Sequence, residues 1–240
     1  MMKVSSRLAA IQGSVTLAID AKAKAMKAAG EEVYGLAGGE PEMDTPDNIK
    51  QAAITALNNG ATKYTPSDGL PALRQAIADK LKRENNLEYD PSQITVGAGA
   101  KHACFNAIMA TVSEGDEVII PAPYWVRYPE MVRMCGGVPV IVETTPENGW
   151  KLTAEQFEEA MTPRTKMVIL TTPNNPTGAV YFEEELRALG EVAVSEDILI
   201  LADEIYEHLV YGDVKHVSIA SLSPEPVSYT HLTLPTILLV

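Results

Sequence analysis

Leu170-Thr-Thr-Pro-Asn-Asn-Pro-Thr-Gly-Ala-Val-Tyr181 is the stretch whose reading decides the fold. It continues an apolar run that begins at Lys166 and precedes a charged segment opening at Glu183. A buried strand that stops in two prolines, two asparagines and a glycine exposes backbone and fixes φ twice. Such a turn is expected to hold something. Working outward, a second apolar run, Ile198 to Ala202, stops in Asp203-Glu204-Ile205-Tyr206, which sets a carboxylate and a phenol where a neighbouring strand would end. The chemistry is expected between these two strand ends.

The same alternation extends upstream. Strands are predicted at Ile94 to Gly97, Glu117 to Ile120, Val138 to Val142, Lys166 to Leu170 and Ile198 to Ala202. Helices are predicted between them, at about Ala100 to Val112, Val126 to Cys135, Thr153 to Met161 and Glu183 to Ser195, and Thr153 with Gln156 has capping-box spacing. Strand and helix in alternation predict an α/β fold, a mostly parallel sheet with helices on both faces. Nearer the N-terminus, Ala18 to Ala29 reads as a helix closed by Gly30, and Glu32 to Leu36 as a short strand leading to Gly38-Gly39-Glu40-Pro41. Thr45 before Pro46 predicts a capped helix running to about Asn58, closed by Asn59-Gly60. After the polar loop Lys63 to Gly69, the segment Leu70 to Arg83 puts Leu73, Ile77 and Leu81 on one helical face.

Composition narrows the partners. The 240 residues are 46% hydrophobic and 21% charged, as in a globular protein, and the net charge of −13 argues against nucleic acid or an anionic membrane as the main partner. Cys104 and Cys135 form no motif, no apolar run is long enough to span a bilayer, and Met1 to Gln12 lacks the apolar core of a signal peptide. A cytoplasmic protein with reduced thiols is expected. His102, His208, His216 and His231 have no metal-ligand spacing, so no metal is expected, and Glu204 and Glu207 read as solvated or structural.

In doubly wound sheets ligands sit outside the carboxyl ends of the strands, near a switch in strand order. The unusual residue clusters of this chain fall at such ends. Gly97-Ala98-Gly99-Ala100-Lys101 leads into a helix, where small residues let backbone N–H groups and the helix dipole meet a phosphate. Pro121-Ala122-Pro123-Tyr124-Trp125 offers an indole that can stack on a planar ring. Asn174 and Asn175 follow the fourth strand, and Asp203 and Tyr206 the fifth. Together they describe a pocket for a phosphorylated aromatic heterocycle. Pyridoxal phosphate fits each part: its pyridine nitrogen needs a buried carboxylate such as Asp203, and its phenolic oxygen needs donors such as Asn175 and Tyr206.

These residues resemble the class I aminotransferases of pyridoxal-phosphate fold type I, close to the bacterial aspartate aminotransferase branch. The likeness rests on Gly39-Glu40-Pro41, Lys63-Tyr64-Thr65-Pro66, Gly99-Ala100-Lys101-His102, Pro123-Tyr124-Trp125, Pro173-Asn174-Asn175-Pro176-Thr177-Gly178 and Asp203-Glu204-Ile205-Tyr206, and covers about residues 15 to 227. It implies that Gly99, Ala100 and Lys101 form the phosphate loop and that Trp125 stacks on the ring. It further implies that Asn175 and Tyr206 meet the phenolic oxygen and that Asp203 pairs with the pyridine nitrogen. By the same resemblance Tyr64 reaches the phosphate of a partner subunit, implying a homodimer, and Gly39 lies against the substrate carboxylate, with Trp125 and Asn175 also on the substrate side. The implied reaction moves an amino group between an aspartate- or glutamate-like amino acid and a 2-oxo acid. The same pocket also serves lyases and decarboxylases.

The resemblance also implies a lysine, past the aspartate, that holds the cofactor as a Schiff base and shuttles a proton. The last lysine of the sequence is Lys215 and the last arginine Arg187, neither in the family's setting. From Ser228 the uncharged, apolar-ending run to Val240 departs from the family. Residues 1–45 are accordingly expected to form an N-terminal arm and part of a small domain, 46–227 an incomplete cofactor-binding domain, and 228–240 a junction, frame or cloning sequence. A non-catalytic fragment is the competing reading.

Overall fold

The computed structural model describes residues 15–35 and 43–222, together with Ser5, Ile11 and Gly13. Gly39 and the tail from residue 223 lie outside the described residues. The chain divides into two compact units, Gln12–Thr65 and Met1–Ile11 with Pro66–Val240.

The smaller unit contains helix α1, Val15–Ala28, and helix α2, Asp47–Asn58. Gly30 follows α1 at φ 86°, as a helix-ending glycine should. Pro46 itself occupies the N-cap position of α2 and no side chain caps the helix, so Thr45 does not play the expected part. Asp47 supplies a carboxylate to the first turn and pairs with Lys50 at 2.9 Å. Gly60, at φ 81°, ends the helix where the Asn59-Gly60 pair predicted. Residues 31–35 form no strand.

The larger unit is built on four strands, β1 (Glu117–Ala122), β2 (Val138–Glu143), β3 (Thr165–Thr171) and β4 (Leu199–Asp203), all parallel in the order β2-β1-β3-β4. Its helices are α3 (Pro71–Asn85), α4 (Ala100–Thr111), α5 (Tyr128–Met134), α6 (Ala154–Ala160) and α7 (Glu183–Ser195). Residues alternate across the sheet with a period of two. Val118, Ile120, Met167, Ile169 and Leu201 pack with Cys104, Ile108, Tyr128 and Val132 of α4 and α5. Ile119, Val168, Leu170, Ile200 and Ala202 pack instead with Phe157 of α6 and Leu186, Leu189 and Val192 of α7. Both faces are therefore covered, the condition under which a parallel sheet reads as continuous apolar runs.

Helix starts follow the local chemistry. Thr153 caps α6, its hydroxyl accepting from the Gln156 amide while the Gln156 side chain accepts from the Thr153 amide. Helix α3 turns Ile77, Ala78 and Leu81 towards Leu87 and Ile94, with Leu73 at the margin. Ile94 to Gly97 is extended but is not a strand: among the described residues its one backbone hydrogen bond to a distant segment runs from the Val96 amide to the Asp68 carbonyl. Apolar β-branched residues favour extension, but a strand also needs a neighbour to pair with. The close approach at that link requires Gly69, at φ 105°, because a Cβ there would come within 2.7 Å of Val96 Cγ2.

The strand order also locates the crevice. From β1 the chain goes to β2 on one side and then returns to β3 on the other, so the order switches at the carboxyl ends of β1 and β3.

Candidate functional site

The loop after β3 separates the tasks of its two asparagines. Asn174 is the staple: its Oδ1 accepts from the Thr177 amide at 3.2 Å and the Thr177 hydroxyl at 3.0 Å, and its amide donates to the Ala179 carbonyl at 2.8 Å. Gly178 closes the turn at φ 73°, its amide donating to the Asn174 carbonyl. Asn175 is left to face outward from that frame, and its Nδ2 donates to Tyr206 Oη at 3.3 Å. The turns after β3 and β4 thus meet through two of the predicted site residues.

Asp203 ends β4 opposite Thr171 of β3, 4% exposed. Its Oδ2 accepts from Tyr128 Oη at 2.6 Å and has Cys104 Sγ at 3.7 Å, and its Oδ1 accepts from the Ile205 amide at 3.2 Å. Tyr128 Oη also lies 2.9 Å from Thr171 Oγ1. Among the described residues no cationic side chain pairs with this carboxylate. Burial, then the Asp203 charge and the hydrogen bond to it, hold the Tyr128 phenol well above its ordinary range, so it remains a donor. Burial and the same carboxylate push the Cys104 thiol up, which keeps it protonated. A buried carboxylate cradled only by neutral donors is suited to meet a cationic ring nitrogen.

Trp125, half-buried after β1, meets Tyr128 edge to face, with centroids 5.3 Å apart and planes at 79°. Lys101 Nζ lies 5.6 Å from the centre of the Trp125 ring. That side chain is exposed and leans over the indole. Gly99 is the N-cap of α4 at φ 85°, with open space where a Cβ would be. The amides of Ala100 and Lys101 open the helix, where no carbonyl one turn back can receive them. His102 turns its Nδ1 to accept from the Ala98 amide at 3.0 Å, a local cap. Cys104 lies one turn further along α4, so the helix that offers amides at its start also touches Asp203, about 6 Å of helical rise away.

A small cleft lies at the carboxyl ends of β1 and β3 and is lined by Tyr124, Tyr128, Trp150, Thr171, Asn174 and Tyr181, among others. Gly99, Ala100, Lys101, Trp125, Asn175, Asp203 and Tyr206 all belong to the larger unit. Tyr64 is exposed within the smaller unit, and Gly39 lies outside the described residues. The sequence reading missed Tyr128, Cys104 and Thr171. Tyr128 carried a faint signal, being three residues beyond Trp125 at the start of a predicted helix.

The sequence pattern described as "Aminotransferase class I and II" matches residues 31–236. Among curated proteins, the chain is 55% identical over 224 residues to the aspartate aminotransferase of Geobacillus stearothermophilus, covering 93% of this chain and 57% of the relative. It is 52% identical over 227 residues to a probable aspartate/prephenate aminotransferase of Aquifex aeolicus, covering 95% of this chain and 58% of that protein. Among solved structures, the aspartate aminotransferase from Thermus thermophilus with maleate matches with a TM-score of 0.90 at 48% identity, covering 94% of this chain and 59% of that one. The chain spans somewhat more than half the length of the relatives it matches. Parallel strands wrapped on both faces, a buried acid at the end of β4 and a sequence match over most of its length make this chain a member of the class I and II aminotransferase family.

Proposed function

We propose that the protein takes part in pyridoxal-phosphate-dependent transfer of an amino group between an aspartate- or glutamate-like amino acid and a 2-oxo acid. The observation that carries this reading is the buried Asp203 carboxylate, held by Tyr128 and Cys104 and unpaired by any cation among the described residues. When bound, pyridoxal phosphate supplies an electron-poor ring that stabilises negative charge at the substrate Cα. The residues fit that group. Asp203 would keep a proton on the ring nitrogen, and Trp125 would cover one ring face. Tyr206 and Asn175 would donate to the phenolic oxygen. The open amides of Ala100 and Lys101, with Gly99, would take the phosphate at the start of α4.

On the substrate side the proposal includes Gly39, Trp125 and Asn175, carried over from the resemblance of their sequence motifs. By the same resemblance it includes Tyr64 at the phosphate of a partner subunit, and with it a homodimer. The maleate in the Thermus thermophilus structure supports a dicarboxylate-sized substrate. A cytoplasmic location fits the composition, and among the described residues no helix is long and apolar enough to cross a membrane. The residues named here are proposed to hold the cofactor.

Two measurements test the reading. Pyridoxal phosphate is titrated into the chain and into Asp203→Asn, following indole fluorescence. The expected loss is about 10- to 100-fold in affinity, as for a hydrogen bond to a charged group, and equal affinities would refute the role of Asp203. The amino-group half-reaction is then followed on the protein with aspartate and with glutamate. Oxaloacetate or 2-oxoglutarate is the expected product. Release of carbon dioxide in place of a 2-oxo acid would move the assignment to a decarboxylase.

A further inference from the structure

Asp203 and Glu204 are consecutive buried acids that leave the end of β4 on opposite faces of the sheet. Asp203 reaches Cys104 of α4 and Tyr128 of α5, whereas Glu204, 3% exposed, reaches His216, which precedes Val217 and Ile219 of the cluster on the other face. There its Oε2 lies 3.4 Å from His216 Nε2, and both side chains are buried. That contact lies outside hydrogen-bond geometry, and Glu204 Oε1 and both ring nitrogens of His216 have no hydrogen-bond partner among the described residues. Two buried polar groups facing each other this way invite an explanation, because each would otherwise bear its full desolvation cost.

The next acid along the turn is anchored as well. Glu207 accepts from Asn85 Nδ2 at 2.8 Å and pairs with Lys80, both on α3, while its amide donates to the Glu204 carbonyl at 3.0 Å. The turn after β4 therefore alternates two kinds of side chain. Asp203 and Tyr206 face the candidate site, and Glu204 and Glu207 reach away from it to fixed partners.

We propose that Glu204 and His216 form a positioning pair that holds the turn from behind, so that Asp203 and Tyr206 keep the geometry the cofactor needs. The inference rests on the cofactor reading of Asp203 and Tyr206. The pair touches no reacting atom and acts through the backbone that joins Glu204 to Asp203.

The test reads the turn with and without cofactor, in the full chain carrying Cys135→Ser so that Cys104 is the remaining thiol. Cys104 is buried against Asp203, so its labelling by an aromatic disulfide reports opening of the site. Glu204→Gln and His216→Leu are expected to speed labelling about tenfold and to weaken pyridoxal phosphate binding by a similar factor. His216→Gln, which keeps a donor near the ε position, is expected to recover most of both losses, and the double variant to lose no more than the worse single one. Glu117→Gln, at the amino end of β1 and paired with Arg164, is the control for stability alone: its melting temperature is expected to fall while labelling and affinity stay at the parental level. Unchanged labelling in Glu204→Gln and His216→Leu, or a matching rise in Glu117→Gln, would overturn the proposal. Should His216→Leu fail to fold, Glu204→Gln and His216→Gln decide the matter. If labelling rises as expected but the parent binds no pyridoxal phosphate, the positioning pair stands and the cofactor reading falls.

Discussion

Tyr128 donates a 2.6 Å hydrogen bond to Oδ2 of Asp203 from 75 residues away in the chain, and its oxygen lies 2.9 Å from the Thr171 hydroxyl. One phenol thus ties the start of α5 to the paired ends of β3 and β4. Removing its hydroxyl leaves the carboxylate with the Ile205 amide and the weak Cys104 thiol. Tyr128→Phe is expected to lower unfolding free energy by about 1.5–3 kcal/mol, the range for hydrogen bonds to charged groups, as read by urea denaturation at neutral pH. A change within about 0.5 kcal/mol would show that the bond has no net value.

The two asparagines of the turn after β3 should separate in their effects. Asn174→Ala removes the acceptor for Thr177 and is expected to cost about 1 kcal/mol of stability. Asn175→Ala leaves those bonds in place. It should melt like the parent but bind pyridoxal phosphate roughly tenfold more weakly. Loss of stability in both variants with unchanged affinity would remove Asn175 from the site.

Glu207 supplies a pH signature. Burial pushes its carboxyl up, but hydrogen bonds from Asn85 and Lys80, with the Lys80 charge, more than offset this and leave it below the ordinary value of 4.5. A carboxyl lowered in the folded state contributes stability that is present above the unfolded value and is lost as pH falls through the lower folded one. The melting temperature of the parent should therefore exceed that of Glu207→Gln at neutral pH. The gap should close as the pH is taken down through and below about 4.5. A gap that stays constant over that range would mean that the charge of Glu207 contributes nothing.

Phe157 is fully buried between α6 and the face of the sheet away from Cys104. Phe157→Ala is expected to cost about 3–5 kcal/mol by lost burial and cavity formation. Denaturant unfolding measures this, and a loss under about 1 kcal/mol would mean that the α6 side of the layer is not packed as described.

What the sequence revealed and what it withheld follow from the range of the forces involved. Helix α7 runs from Glu183 to Ser195 as predicted, and Thr153 with Gln156 caps α6 as predicted, because both depend on residues a few positions apart. Asp203 and Tyr206 were legible because an apolar run stops abruptly before them. The Tyr128 and Cys104 contacts with Asp203 span 75 and 99 residues and exist only once the helices have packed. Likewise Ile94 to Gly97 has the composition of a strand, but pairing is a property of neighbours and not of the segment itself. Thr45 failed as a cap because Pro46 took that position.

The opposite headings of Asp203 and Glu204 make the length of β4 more critical than its composition. Exchanging one β-branched or aliphatic residue for another within Leu199–Ala202 leaves both acids where they are. Deleting a single residue there would turn every following side chain to the opposite face, delivering the longer acid to the place of Asp203 and the shorter one to the apolar place of Ala202. The first would arrive with the wrong reach and the second without a partner. Frame and spacing errors in this strand should therefore be far more damaging than point changes of similar size.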